Sequence, residues 1–211
     1  ITMVEWNKEW QKFTRSLDIR HTIQAIESTG NKAEYHSADV MDVDSIKSAI
    51  DNRSVTGIVH GAGLEDSKLV ADKSWEVFDR VVRVKIDGWR ALISAAGDHV
   101  RFACAFTSVA GRFGNGGQTD YAAANSVLDA EMARLSAKGG MRAVAIGWTG
   151  WRDVGMATRG SIEAIFAAAG IDTLSVEQGV EIFVDEVLSG GKRRVLGCGS
   201  LGLMDRFSTF R

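Results

Sequence analysis

The chain has 211 residues, of which 45% are hydrophobic and 25% are charged, a balance typical of a globular protein with one sizeable core. The formal net charge of −2 excludes a general electrostatic attraction to nucleic acid or to an anionic membrane surface. No apolar run approaches the ~20 residues of a membrane span and no signal peptide is visible, so we expect no membrane and no nucleic-acid partner. The two cysteines, Cys104 and Cys198, lack metal-binding spacing and are typical of a reduced, cytoplasmic protein.

Helical spacing and turn residues predict the elements of the first part of the chain. Trp6, Trp10 and Phe13 are spaced as on one side of an amphipathic helix, so we expect them to pack rather than to bind a ligand. Asp18 can cap a second helix, which Gly30 would end. The predicted elements are a helix in residues 1–17, a helix at Ile19–Ser28, a strand at Ala33–Ser37, a helix from Asp42 or Asp44 to Ile50, and a strand at Val55–His60.

Helices and strands continue to alternate in the rest of the chain. The predicted elements are a helix at about Ser74–Ala96, a strand at Arg101–Phe106, a helix that carries Tyr121 and runs to about Ala137, a strand at Arg142–Gly147, a short helix at Ser161–Ala169, a helix from the capping box Ser175–Gln178 to about Ser189, and a strand at Arg194–Cys198. This alternation, without a hairpin signal, indicates a parallel sheet in a doubly wound α/β fold. Because no linker or repeat interrupts it, we expect residues 1–211 to belong to a single domain.

One segment, Phe106–Asn125, combines a hydroxyl group at a strand end with polar side chains on the next helix. Ser108 lies at the carboxyl end of a strand, where open α/β sheets hold their ligands. A glycine-rich loop then leads to a helix that carries Tyr121 and Asn125, and a spacing of four residues lets both side chains point into one cleft. Each residue alone is more often incidental than catalytic, but the combination indicates a functional site.

This segment resembles the active-site segment of short-chain dehydrogenases/reductases. More narrowly, it resembles the ketoreductase domains of polyketide, polyunsaturated-fatty-acid and animal-type fatty acid synthases. Simple reductases of that superfamily carry Tyr-x-x-x-Lys, whereas the multienzyme ketoreductases have asparagine at the last position, as Asn125 does here. Their lysine comes from an earlier helix, and Val84–Gly88 matches that helix with Lys85 in the lysine position.

The resemblance implies a catalytic role for each of these residues. Tyr121 would protonate the carbonyl oxygen of the substrate, and Ser108 would donate a second hydrogen bond to the developing oxyanion. Lys85 would hydrogen-bond the nicotinamide ribose, and its positive charge would lower the pKa of Tyr121. Asn125 would hold the Lys85 side chain or a water in the proton path, the alternative being an amide on the helix surface.

The resemblance also implies NADPH as the cofactor. Gly61, Ala62 and Gly63 match a segment that packs against the cofactor ribose and nicotinamide, and small residues there let backbone approach a ligand closely. His60, just before them, is expected to pack locally rather than to ionise. The other implied cofactor residues are Tyr121, Asp39, beside the adenine, its neighbour Val40, and Gly147 and Trp148, over the nicotinamide. Met156 and the segment after it would face the substrate.

The start of the family's fold has no counterpart in this sequence. That fold begins with a strand, a glycine-rich phosphate-binding turn with its helix, and a second strand, and none of these precedes Asp18. In the strand order 3-2-1-4-5-6 the two strands would lie between Ala33–Ser37 and Val55–His60. Their loss would leave ladder groups unpaired at a cost of ~1–3 kcal/mol each. We therefore expect an N-terminally incomplete domain that is part of a longer polypeptide.

The expected function is NADPH-dependent reduction of a 3-oxoacyl thioester, carried by an acyl carrier protein, to the 3-hydroxyacyl thioester. The partners would be that carrier protein and the other domains of the same cytoplasmic synthase. Two alternatives stay open: a free-standing short-chain dehydrogenase of a small alcohol or ketone, and a non-catalytic pseudo-reductase scaffold. The sequence predicts no product configuration, because Leu64–Asp66 only partly matches one stereochemical marker and Phe113 replaces the tryptophan of the other.

Overall fold

The structure, a computed structural model, describes residues 2–158, 162–188, 190–191 and 194–202. The chain divides into two compact units, residues 1–38 and residues 39–211. The first unit contains an N-terminal helix, and the second contains a parallel sheet with helices on both of its faces.

The N-terminal helix, α1, spans Met3–Ser28 without interruption, so the prediction of a separate helix capped by Asp18 is wrong. Neither glycine nor proline occurs within it, and nothing in the backbone stops the helix between its two predicted halves. Trp6 stacks on Trp10 with ring centroids 5.6 Å apart, yet both side chains are 52% exposed. Within this unit, the aromatic side chains pack ring against ring, as expected.

The predicted strand at Ala33–Ser37 does not form. Residues 31–39 have no regular secondary structure, and Tyr35 within them is exposed. A strand is stable only where a neighbouring strand supplies hydrogen bonds, and no strand of the described residues pairs with this segment.

Four parallel strands form the sheet and stand in the order in which they occur along the chain. They are β1 at Gly57–His60, β2 at Phe102–Ser108, β3 at Arg142–Trp148 and β4 at Arg194–Gly197. In register, Val59 of β1 lies beside Cys104 of β2, which lies beside Val144 of β3. The predicted doubly wound parallel sheet is confirmed for these four strands.

Three helices of the second unit begin at a capping side chain. The helices of this unit are α2 at Val43–Ile50, α3 at Trp75–Ala96, α4 at Ala110–Phe113, α5 at Thr119–Lys138, α6 at Ile162–Ala168 and α7 at Val176–Leu188. Asp42, not Asp44, caps α2, and Ser74 caps α3. The Ser175–Gln178 capping box at the start of α7 is confirmed by its two reciprocal hydrogen bonds. Ser161 and Ser189, at predicted helix ends, lie outside the described residues.

Successive residues of β2 and β3 point alternately into two cores. The core under α3 and α5 combines small strand residues with large helix side chains, for which the small residues leave room. The strand residues are Ala103, Ala105, Ala143 and Ala145, and the helix residues are Trp89, Leu128 and Met132. The core on the opposite face, under α7, contains Cys104, Val144, Ile146, Trp148 and Phe183.

Because all four strands run in the same direction, their carboxyl ends meet at one edge of the sheet. His60, Ser108 and Trp148 are the last residues of β1, β2 and β3 and lie at this edge. Open α/β sheets bind their ligands there. In the described ranges, none of the helices has the length and apolar character needed to cross a membrane.

Candidate active site

A cavity of about 520 Å³ opens at the carboxyl edge of the sheet, and three predicted catalytic side chains line it. They come from three separate elements: Lys85 from α3, Ser108 from the end of β2, and Tyr121 from the first turn of α5. The structure thus brings together residues that are far apart in sequence.

Lys85 is a buried lysine whose ammonium group is held by backbone. The residue is 3% exposed, and its Nζ donates a hydrogen bond to the carbonyl oxygen of Phe106 at 2.6 Å. Burial lowers the pKa of Lys85 to about 8, because the charged form loses its hydration. Gly63 lies against this side chain, and a Cβ at Gly63 would come within 3.3 Å of Nζ.

Tyr121 is partly buried, and its pKa is raised. Burial is the main cause, and the Glu65 carboxylate raises the pKa further, whereas the Ser108 hydroxyl and the Asn125 amide act in the opposite direction. The prediction was that the charge of Lys85 lowers this pKa, but the net shift is upward because burial dominates, and the Lys85 ammonium hydrogen-bonds the Phe106 carbonyl. The phenol is therefore protonated at neutral pH.

Ser108 is oriented by the backbone that follows it. Its Oγ accepts a hydrogen bond from the N–H of Ala110 at 3.1 Å, so its hydroxyl hydrogen remains available to an oxygen in the cavity. The same hydroxyl lies near Tyr121 and acts to lower the pKa of its phenol. The two predicted donors to a substrate oxygen are therefore neighbours.

Asn125 is fully buried, so the alternative of an amide on the helix surface is wrong. Its Nδ2 donates to the carbonyl oxygen of Tyr121 at 2.7 Å, and its Oδ1 has no hydrogen-bond partner within the described part of the chain. Asn125 lines a small crevice behind Ser108 rather than the main cavity. A Cβ at Gly111 would come within 2.8 Å of the Asn125 Cβ, so a glycine there lets α4 pack closely on α5.

The predicted cofactor residues fall into two groups. Gly61, Lys85, Tyr121 and Trp148 line the main cavity. The others do not line it: Asp39, Val40, Ala62, Gly63 and Gly147.

Asp39 and Val40 lie in the loop before α2. The Asp39 carboxylate is exposed and accepts a hydrogen bond from the N–H of Met41 at 2.9 Å, which stabilises the turn into α2. The Val40 side chain packs on α3, where a Cβ at Gly88 would come within 3.1 Å of it.

His60 packs locally, as predicted. It is buried, and its Nε2–H donates to the carbonyl oxygen of Lys85 at 3.0 Å. Burial and, to a smaller extent, the charge of Lys85 lower its pKa to about 4, so His60 is neutral at physiological pH. Its contact fixes the turn of α3 that carries Lys85.

Several polar side chains around the cavity were not predicted from the sequence to lie together. Glu65, Ser67, Asn115 and Gln118 form one polar side of the cavity, which we call the polar wall. Gln118 Nε2 donates to Glu65 at 3.3 Å and to Ser67 at 3.2 Å. These contacts join segments about fifty residues apart, so no local spacing could have predicted them. Met156, expected to face the substrate, does line the cavity.

The chain has clear relatives among large synthases. The sequence profile described as KR domain matches residues 12–153. Mellein synthase of Phaeosphaeria nodorum (strain SN15) is 33% identical over 158 residues, which cover 71% of this chain and 9% of the synthase. Erythronolide synthase EryA2 of Saccharopolyspora erythraea is 32% identical over 170 residues, which cover 79% of this chain and 5% of the synthase. The chain therefore matches only a small part of each of these proteins.

Among solved structures, a ketoreductase domain from the bacillaene assembly line superimposes with a TM-score of 0.72 and 27% sequence identity. The superposition covers 85% of this chain and 46% of that chain. The profile match extends over more than half of the chain, and it includes β1, β2, β3 and the three catalytic candidates. The chain belongs to the KR domain family and is a ketoreductase domain of the polyketide-synthase type.

Proposed function

We propose that this domain catalyses the NADPH-dependent reduction of a 3-oxoacyl thioester, carried by an acyl carrier protein, to the 3-hydroxyacyl thioester. The observation that carries the proposal is the convergence of Lys85, Ser108 and Tyr121 on one cavity at the carboxyl edge of the sheet. The family supports ketoreduction within a synthase, and the cavity geometry supports a role for each residue.

Tyr121 is the proposed proton donor. Its raised pKa keeps the phenol protonated at neutral pH, so it can give a proton to a carbonyl oxygen in the cavity. The neighbouring Ser108 hydroxyl would donate to the same oxygen as negative charge develops there. The phenolate left behind needs a nearby positive charge, and Lys85 is the cavity's buried ammonium group.

The residues around Lys85 suit a nucleotide that carries ribose hydroxyl groups. Gly61 and Gly63 leave bare backbone after β1, and Gly63 leaves room beside the Lys85 side chain that a Cβ would fill. Lys85 would keep its bond to Phe106 and direct its other N–H groups to the ribose. Reduced nicotinamide, when bound, supplies the hydride.

The shape and lining of the cavity suit an acyl thioester. Aromatic and thioether side chains, Phe106, Trp148, Trp151 and Met156, form an apolar side for an acyl chain. The polar wall lines the same cavity and can bind the polar thioester end of the substrate. We further propose that the domain works in the cytoplasm as part of a longer synthase polypeptide, beside the carrier protein and the other synthase domains. The match to synthases much longer than this chain supports a place within a large synthase.

The test is the consumption of NADPH by the full-length protein, followed through the absorbance of the reduced nicotinamide. A 3-oxoacyl N-acetylcysteamine thioester replaces the carrier-bound substrate, and a small ketone of similar length without the thioester is the control. We expect faster turnover of the thioester and a 3-hydroxyacyl product in equal amount to the NADPH consumed. Preference for the free ketone would indicate a different reductase, and absence of turnover with both, in folded protein that binds NADPH, would contradict the proposal.

A further inference from the structure

A buried ion pair lies beside the cavity without lining it. Lys73 Nζ is 2.5 Å from Asp120 Oδ1, and the two side chains are 2% and 0% exposed. Neither takes part in the proton or nucleotide chemistry described above. Burial of two charges is costly unless they are paired and fully hydrogen-bonded, so their bonding partners indicate what the pair holds in place.

The ammonium group of Lys73 has an acceptor for each of its three hydrogens. Besides Asp120 Oδ1, it donates to the carbonyl oxygens of Asp66 at 2.8 Å and of Gly117 at 3.4 Å. Asp66 lies between Glu65 and Ser67, and Gly117 lies beside Gln118, so Lys73 joins the two segments that carry the polar wall.

Asp120 extends the same connection to the proposed proton donor. Its Oδ1 also accepts a hydrogen bond from the backbone N–H of Tyr121 at 2.8 Å, in the first turn of α5. Its Oδ2 is buried and has no partner within the described residues, so the stabilisation of the carboxylate comes through Oδ1. Loss of Lys73 would leave this charge buried without its counter-ion.

The remaining links between the two segments are weaker. The N–H of Lys68 donates to Gly117 O at 3.0 Å, and Gln118 bonds Glu65 and Ser67 as described. The Lys68 bond is between neutral backbone groups, the Gln118–Ser67 bond is exposed, and the part-buried Gln118–Glu65 bond is long at 3.3 Å. The Lys73 and Asp120 side chains, in contrast, are shielded from water and 2.5 Å apart. A charge-assisted hydrogen bond is about twice as strong as a neutral one, so the buried pair is the main connection.

We propose that Lys73 and Asp120 are positioning residues for ketoreduction, which together fix the polar wall and the backbone of Tyr121. The proposal rests on the proposed function, since it assigns the pair to the site where the thioester is reduced. A displacement of about 1 Å at a reacting group lowers a rate by up to ~100-fold, so a pair that fixes Tyr121 has a measurable kinetic effect.

The test compares Lys73→Met, Asp120→Asn and the double variant in the full-length protein. Glu131→Gln is the matched control, because it removes a partly exposed ion pair with Arg134 on the same helix. For Lys73→Met we expect kcat for the thioester to fall about tenfold or more, with the Kd for NADPH unchanged. Asp120→Asn keeps an acceptor for the Tyr121 N–H, so its kcat should fall less than that of Lys73→Met. The kcat of the double variant should be no lower than that of Lys73→Met, because the two substitutions break the same connection.

Hydrogen exchange separates this inference from the proposed function. We expect faster exchange in residues 64–68 and 115–121 of Lys73→Met, with unchanged exchange in the rest of α5, whether or not the protein reduces thioesters. Should Lys73→Met fail to fold, the nearly isosteric Asp120→Asn variant carries the same two measurements. Folded variants with wild-type kcat and wild-type exchange in these segments would overturn the proposal, as would variants that lose stability throughout the domain but keep kcat.

Discussion

Lys85 and Tyr121 line the same cavity, but in this structure the pKa of each side chain is set mainly by its own burial. The pKa of Lys85 is lowered to about 8 and that of Tyr121 is raised, and in both cases the loss of hydration is the first cause. Both shifts disfavour the charged form. During proton transfer Tyr121 becomes a phenolate while Lys85 remains an ammonium ion. The stability of these two charged groups would therefore depend on contacts that form with substrate and nucleotide.

The burial of Lys85 predicts a stability that depends on pH. Below pH 8 both folded and unfolded protein carry the charged lysine, and the folded state bears the full cost of burying it. Between pH 8 and 10.5 the unfolded chain binds the proton and the folded protein does not, so the free energy of unfolding rises with pH, by about 3 kcal/mol in total.

This contribution can be isolated with Lys85→Met, which has no group to titrate. Urea denaturation of full-length wild-type and variant protein, without nucleotide, gives the difference between their free energies of unfolding. We expect that difference to shift in favour of wild type as the pH rises from 8 to 10.5. A difference independent of pH would show that Lys85 is not buried in its charged form.

At the scale of elements, β2, α4 and α5 act as one unit that sets the spacing of Ser108, Tyr121 and Asn125. The short helix α4 fits between β2 and α5 because Gly111 has no side chain. A Cβ there would come within 2.8 Å of the Asn125 Cβ and 3.0 Å of the Ser126 N, closer than packed atoms approach.

We therefore expect Gly111→Ala to lower the free energy of unfolding by about 1–3 kcal/mol and to shift α4 away from α5. Gly116→Ala is the control, because a Cβ there would meet no atom within 4 Å. That change should leave the stability equal or slightly higher, since alanine restricts the unfolded chain. Equal stability of the two variants, measured by urea denaturation, would contradict the close packing of these helices.

Most strands and helices of the second unit could be predicted from sequence. The strands β1 to β4 and the helices α3, α5 and α7 have strong local signals, namely apolar runs and capping residues, and they form close to their predicted positions. The segment Ala33–Ser37 has a strand-like composition, but strand formation depends on a neighbour, which local sequence does not reveal. Asp18 could cap a helix, but its surroundings favour continuation of α1.

For the whole molecule, the order of strands and helices was enough to place Ser108 at the carboxyl edge of a parallel sheet, with the helix that carries Tyr121 following it. The place of Lys85 beside them was implied by the family resemblance, because Lys85 lies inside a helix and not at a strand end. The polar wall and the Lys73–Asp120 pair could not be predicted, because they join residues 47 to 53 positions apart through tertiary contacts. The direction of the Tyr121 pKa shift was also missed, since it depends on burial.

The most direct test of the central claim is the rate of thioester reduction by Tyr121→Phe in the full-length protein. The variant keeps the ring and removes only the hydroxyl, and fluorescence titration with NADPH together with urea denaturation checks that it binds nucleotide and folds. We predict a fall in kcat of at least ~100-fold, the size of a general-acid contribution. A kcat within a few fold of wild type would contradict the assignment of Tyr121 as the proton donor.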